Sequence, residues 1–361
     1  MEIARRRRVS PKPPRSAGRY HRRRRLLVAS VLKLPDVWRV IREMDLESIR
    51  RDAEGRFRIL VAGGSAEEGL AAATLLTGEE TPHPWLEPRA AHALDLAPGE
   101  AATLSAALLV SGTALLEPAL VQTGETLGRA GVPVVTVVHG SGQATDAVVR
   151  AGEAARTVVA ALDLSGLEPI AHALVRALPP GPRLALARQL PPLRHAVFDL
   201  LIEETARANA TYAFTAAMAE AVPVLDVPLN LADMLILTKN QLLMGYKIAL
   251  GAGKAGRPRD LVGEVIGVVG GGFLFRQAAR GLVGLIPVAG VIPKVAIAYT
   301  GTWAIGRAVV AWATQGRRLS TSALGRLSRE AAGRGRAYAK GLIAERKQRR
   351  LARRAGPHSQ A

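Results

Sequence analysis

The chain has no cysteine, and only 4% of its 361 residues are aromatic. Without thiols there is no disulfide, no thiolate metal site, no iron–sulfur cluster and no cysteine nucleophile, and a reducing compartment is favoured. Scarce aromatics leave aliphatic side chains and alanine to fill the core, which 48% hydrophobic residues can supply. Uncharged runs of the ~20 residues that a simple membrane-spanning helix needs are also missing. So are H-E-x-x-H, any paired metal-ligand spacing, and a G-x-S-x-G nucleophile elbow. The seven histidines stand apart at 21, 83, 92, 139, 172, 195 and 358. Glu203-Glu204 lies in a helical pattern and reads as a solvated face, not an acid/base pair. We therefore expect no catalytic residue and no metal site, which argues against an enzyme.

Negative charge is lacking at both ends. Lys and Arg number 49 against 30 Asp and Glu, a net charge of +19. Residues 1–25 and 317–361 hold all of that excess, and the stretch between them is slightly acidic. A basic, folded nucleic-acid-binding face is thus disfavoured, because its charge would sit in the body. The first 25 residues have no apolar segment of the kind a secretory signal carries. They place Arg5–Arg8 and Arg22–Arg25 around Pro11, Pro13 and Pro14, a composition that resists packing. Two basic, disordered tails are expected, able to attract anionic lipid or, as an alternative, nucleic acid.

The length suggests about two domains. After an arm over 1–35, residues 36–55 read as a linker helix, with Val37, Val40, Ile41, Met44 and Ile49 at helical spacing. Aliphatic runs at 58–64, 106–112, 133–140 and 157–164 then alternate with helical stretches at 67–76, 117–130 and 167–178, the last read as capped by Ser165. Strands of this kind, apolar on both faces and separated by helices, imply a parallel sheet domain over 56–180. Prolines 179, 180, 182, 191 and 192 mark its end. Residues 181–316 read as an all-α, strongly apolar domain. Its region 261–314 carries few charges, and Gly263, Gly267 and Gly271 repeat at the small-residue spacing that lets helices approach closely in lipid. Insertion or interfacial docking at a membrane is expected there, with the buried core of a helical domain as the alternative; if the region inserts, both basic tails lie on the cytoplasmic side. Arg276, Arg280 and Lys294 are candidate lipid contacts, Arg276 and Arg280 falling i,i+4 on one helix face. Residues 317–361 complete the chain as the second basic tail.

Between the first strand and its helix stands Ala62-Gly63-Gly64-Ser65-Ala66-Glu67-Glu68-Gly69-Leu70-Ala71. This is where a phosphate-binding loop, G-x-x-x-x-G-K-[ST], belongs. Gly64 and Gly69 have its separation. Leu70 and Ala71 stand where lysine would meet the phosphates and a hydroxyl would hold Mg²⁺. Glu67 and Glu68 add negative charge where phosphates would sit. Gly64, Ser65 and Gly69 are thus candidates for a degenerate phosphate loop, with residual GTP or GDP binding the only cofactor left open. Gly251-Ala252-Gly253-Lys254-Ala255-Gly256 matches G-x-G-x-x-G but follows a helix, so it reads as a helix end and loop.

The chain order resembles the Era-like small GTPases of the translation-factor class. Asp95-Leu96-Ala97-Pro98-Gly99 resembles their D-x-P-G switch II motif with one extra residue, making Asp95 the fourth candidate nucleotide-site residue. Between Gly69 and Asp95 there is little room for switch I and a second strand. His139-Gly140-Ser141-Gly142 stands where N-K-x-D would read guanine, and Leu164-Ser165-Gly166-Leu167 is similar to the last loop. Further on, Arg194, Ile202, Ala206, Asn209 and Ala210, then Gln241–Met244, then the segments 275–280, 287–290 and 298–306, resemble the YcjF-type domain that follows Era-like domains in bacterial membrane-associated proteins. The resemblance spans about 36–316. It implies a P-loop-GTPase-like α/β domain joined to a YcjF-like helical domain at the cytoplasmic membrane. The expected function is that of a pseudo-GTPase scaffold bound to an anionic membrane and to a protein partner that the sequence does not identify. Two alternatives stay open: a GTPase that borrows a cation such as Lys254, and a nucleic-acid-binding module using the tails.

Overall fold

The computed structural model describes residue 39 and residues 41–79, 83–93, 96, 99–112, 116–139, 155–220, 231–269 and 291–354. Asp95, Arg276 and Arg280, the N-terminal arm, and the segments 275–280 and 287–290 lie outside these residues.

Helix α1 (Leu46–Ala53) opens the described body, capped by Asp45, whose carboxylate accepts the Ser48 amide at 3.0 Å. Then β1 (Ile59–Gly63), α2 (Ala66–Thr77), β2 (Leu86–Ala90), β3 (Ala106–Ser111), α3 (Pro118–Arg129), β4 (Val134–Val138), β5 (Ala155–Val159) and α4 (Leu167–Ala177) form the α/β unit. The five strands are all parallel in the order β2-β1-β3-β4-β5. Alternate side chains face opposite layers, as the period of two in a strand requires. Ile59, Val61, Leu108, Val110, Val135 and Val137 turn to the layer that holds α2 and α4, whereas Leu60, Ala62, Ala107, Leu109 and Val134 pack with Leu120 and Leu127 of α3.

Strand β2 is not among the runs expected from sequence. It reads Leu-Glu-Pro-Arg-Ala, polar in the middle and interrupted by Pro88. It is an edge strand, the place where a missing amide is tolerated. Its polar side chains are used there: Glu87 takes Arg58 and Arg89, and Arg89 reaches Glu100 at 2.7 Å.

The chain continues through α5 (Pro180–Gln189), which begins at the prolines expected to mark a boundary, since proline fits the first helical turn. It then forms α6 (Arg194–Glu220), α7 (Leu231–Gly251), α8 (Pro258–Val269), α9 (Val291–Gln315) and α10 (Thr321–Arg354). One apolar core runs unbroken from Val61 and Leu108 in the sheet through Ile170 and Leu174 to Ile202, Met244, Tyr299 and Val309. Gly253, at φ +86°, ends α7: its amide bonds to the Leu250 carbonyl and the Lys254 amide to that of Ala249, a Schellman cap. This bears out the reading of that glycine motif as a helix end.

Three expectations are corrected. The strongly apolar character expected of 181–316 does not extend to a membrane span: among the described residues no helix is long and apolar enough to cross a bilayer. The apolar side chains of α9, including Val295, Tyr299, Trp303, Ile305 and Val309, are consumed in the protein core. The glycine stripe does not make close helix contacts either. A methyl group added at Gly263 or Gly267 would meet nothing within 4 Å; Gly271 lies outside the described residues. The close approaches occur elsewhere, at Gly306 against Ile202 and Gly245 against Val265, each 2.5 Å from an added Cβ. Finally, the C-terminal tail is a helix over 321–354, not a disordered segment. Leu324, Ala331, Ala332 and Ala339 recur at helical spacing and are buried, with Leu327, Tyr338 and Leu342 packed beside them. Small residues between the arginines gave this segment a face that charge counting concealed.

Candidate functional site at the carboxyl ends of the strands

In an open parallel sheet, ligands bind beyond the carboxyl ends of the strands where the strand order reverses. Here the chain leaves β1 for β2 on one side and then crosses to β3 on the other, so the reversal lies between Gly63-Gly64 and Ser111-Gly112. The candidate loop is in that place, but its own atoms fill it. Ser65 caps α2 and accepts the Glu68 amide at 3.2 Å, while Glu68 Oε2 accepts the Ser65 amide at 3.3 Å. This reciprocal capping box satisfies donors that a phosphate would otherwise take. The Gly64 amide is bonded to the Val110 carbonyl at 3.1 Å. Among the described residues the positive-φ glycines are Gly78, Gly131, Gly253, Gly256 and Gly316. None lies in 63–69, so the left-handed residue of an anion nest is missing there.

Two carboxylates converge on the loop. A Cβ at Gly64 would stand 2.7 Å from Glu117 Oε1 and 3.1 Å from Glu68 Oε2, and one at Gly112 would stand 2.7 Å from Glu68 Oε1. Glycine at both positions is what lets the acids approach. His139, at the end of β4, sets Nε2 3.2 Å from Glu68 Oε1, without hydrogen-bond geometry. Two unit charges 4 Å apart near a protein surface interact by about 4 kcal/mol, roughly three powers of ten in affinity. A carboxylate pair at that range works against a polyphosphate. Gly69 has a packing role: a Cβ there would stand 2.9 Å from the Arg89 carbonyl, so the glycine lets α2 lie against β2. Leu70, at the lysine position of a phosphate loop, is 48% exposed on α2. Lys254, the cation suggested as a substitute, lies over the Trp312 ring at 5.2 Å in the helical unit. Glu117, and the approach of His139 to Glu68, are what sequence reasoning missed at this loop. Glu117 and His139 each follow a strand at its carboxyl end, and that was the available signal.

A cavity of about 680 Å³ lies at the opposite edge of the sheet, lined by Arg56, Thr103, Ser105 and Pro133 just before their strands. It is at the wrong end of the strands for a ligand site of this fold.

A cleft of about 640 Å³ opens among α4, α6, α9 and α10. Arg307 and Arg334 flank the Trp303 ring at 4.9 and 5.5 Å, and Arg207 lies 5.7 Å from the Tyr338 ring. Glu203 is not the solvated side chain expected. It takes Arg207 at 2.6 Å and the buried Tyr299 hydroxyl at 2.5 Å. Burial, reinforced by that bond, raises the Tyr299 pKa well above the usual phenol range. At the end of this cleft His172 and His195 meet Asp199. Lys294, the one lipid-contact candidate among the described residues, is half-buried in the first turn of α9.

No family model, curated protein or solved structure matches this chain. Fold and site define the class: a five-stranded parallel α/β unit, joined through one core to a helical unit, with an acidic loop at its topological switch point.

Proposed function

We propose that the chain is a pseudo-GTPase of Era-like layout on a YcjF-like helical unit, acting as a scaffold that docks on an anionic membrane surface through α10. Three features support the layout. The connection from α2 to β2 is only residues 78–85, in keeping with a missing switch I and second strand. The loop after β1 occupies the switch point of the sheet. The segments quoted for the YcjF-type resemblance meet in one buried network: Asn209 on α6 and Gln241 on α7 both donate to Thr302 Oγ1 on α9, at 2.9 and 3.1 Å.

The observation that carries the membrane reading is the end of α10. The helix bears eleven basic and two acidic residues, six of the basic ones within its last twelve positions. Packing on the core stops at Leu342. Lys347, Arg349, Arg350 and Arg353 are exposed, and Ile343 and Leu351 are exposed among them. Like charges at i,i+4, as at Arg346/Arg350 and Arg349/Arg353, disfavour a helix in water. An anionic surface neutralises them and contributes about 1 kcal/mol per basic side chain. This is surface docking on the cytoplasmic leaflet, not insertion.

Co-sedimentation with vesicles of phosphatidylcholine, with and without 30% phosphatidylglycerol, tests the reading. Binding is expected only to the anionic vesicles, falling steeply with salt, and removal of 343–361 is expected to abolish most of it. Equal binding to both vesicles, or binding unaffected by that truncation, would overturn it.

A further inference from the structure

We propose that His172, His195 and Asp199 form a binding site for a divalent transition metal of the zinc class, fastening the α/β unit to the helical unit. This goes beyond the membrane reading and does not depend on it. His172 comes from the middle of α4, the last helix of the sheet domain. His195 and Asp199 sit one turn apart on one face of α6, which places both side chains toward the same neighbour.

The three ligand atoms lie near enough to close into a coordination shell. One ligand atom from each residue lies within 4.8 Å of the others. Asp199 Oδ2 is 3.4 Å from His195 Nδ1 and 3.8 Å from His172 Nε2. Zinc–nitrogen and zinc–oxygen bonds of 2.0–2.2 Å set ligand atoms ~3.3 Å apart at the corners of a tetrahedron, so only a small closure is needed. Two imidazoles and one carboxylate are the donors that bind zinc with a position left open. The carboxylate is already oriented for this work. Its other oxygen, Oδ1, accepts Arg307 Nη1 at 2.7 Å, and Arg307 is itself held against Trp303. Such an outer partner fixes a ligating carboxylate and leaves Oδ2 directed at the two imidazoles. Glu168 Oε1 lies 3.9 Å from His172 Nε2 but outside the group of three, so water completes the shell from the solvent side.

The site opens onto the arginine-lined cleft, so a bound metal would face an anionic group entering between Arg307 and Arg334. Its location gives it a mechanical consequence. A metal held by α4 and α6 together ties the sheet to the bundle at the junction where the chain passes through α5.

The test is titration of the purified full-length chain, stripped with chelator, with Zn²⁺ by calorimetry and with Co²⁺ by visible absorption. One metal per chain is expected, with the intense cobalt bands of a four-coordinate nitrogen–oxygen site. His195→Gln and His172→Gln are each expected to weaken binding at least tenfold. His195 is 64% exposed, so its variant keeps the fold. His139→Gln, outside the three-residue cluster, is expected to bind as the parent does. Zn²⁺ is also expected to raise the Tm of the parent and not of the two site variants. No saturable binding, or binding that survives both site variants, would overturn the proposal.

Discussion

Glu68 Oε1 lies 3.2 Å from His139 Nε2, joining the first turn of α2 to the end of β4 across the mouth of the sheet. The same carboxylate accepts the Ser65 amide through its other oxygen. One side chain thus caps the helix and occupies the space at the switch point that a phosphate group would need. The acidic loop is a built structure, with Gly64 and Gly112 making room for it.

Loss of either half of the capping box should cost about 1 kcal/mol. Ser65→Ala and Glu68→Ala, measured by urea unfolding, are each expected to lower stability by about that amount. The double variant should lose less than the sum, because each single change already breaks the reciprocal pair.

Alanine substitutions should separate glycines that make room for backbone from glycines that do not. Gly69→Ala places a methyl group 2.9 Å from the Arg89 carbonyl and 3.3 Å from that of Val61, and overpacking of this kind costs about 1–3 kcal/mol. Gly263→Ala, in open space within α8, should be neutral or stabilising by up to about 1 kcal/mol. Thermal unfolding of the two variants checks the contrast.

Thr302→Val removes the oxygen that accepts from both Asn209 and Gln241 in a region where all three residues are buried. A buried donor left unsatisfied costs about 1–3 kcal/mol. A destabilisation of about 2–4 kcal/mol is expected in urea unfolding, despite the matched volume.

Tyr299 gives the stability an alkaline limb. Its pKa is raised in the folded protein by burial and by the bond to Glu203, while the unfolded residue titrates near 10. The stabilising difference is therefore complete below about pH 10 and is lost as pH rises above it, because the unfolded chain releases its proton first. Between pH 9.5 and 11.5 the Tm of the parent should fall more steeply than that of Tyr299→Phe.

Much of the fold was written in local pattern. Ile59–Gly63, Ala106–Ser111 and Val134–Val138 are apolar on both faces, and that alone marks strands buried between helices. β2 escaped because an edge strand has no need of such a run, and Pro88 argues locally against one. α10 escaped because its arginines mask a buried face built largely from alanine. Ser165 looked like a cap by position, yet Gly166 stands at the N-cap of α4. Asp163 holds that turn instead, accepting the Ser165 and Gly166 amides. That Leu70 and Ala71 stand where a phosphate loop has its lysine and its hydroxyl was legible in the sequence alone. The pairing of Glu68 with His139, and of His172 with His195, was not, because only the tertiary fold brings those positions together. His195 and Asp199 alone, four apart on one helix, offered a hint.

The most direct test of the account is an equilibrium titration of the full-length chain with a fluorescent GTP analogue in Mg²⁺, beside the same titration of Glu68→Ala. The filled, acidic loop predicts no saturable binding by the parent up to millimolar nucleotide. Saturable micromolar binding that requires Mg²⁺ would contradict it.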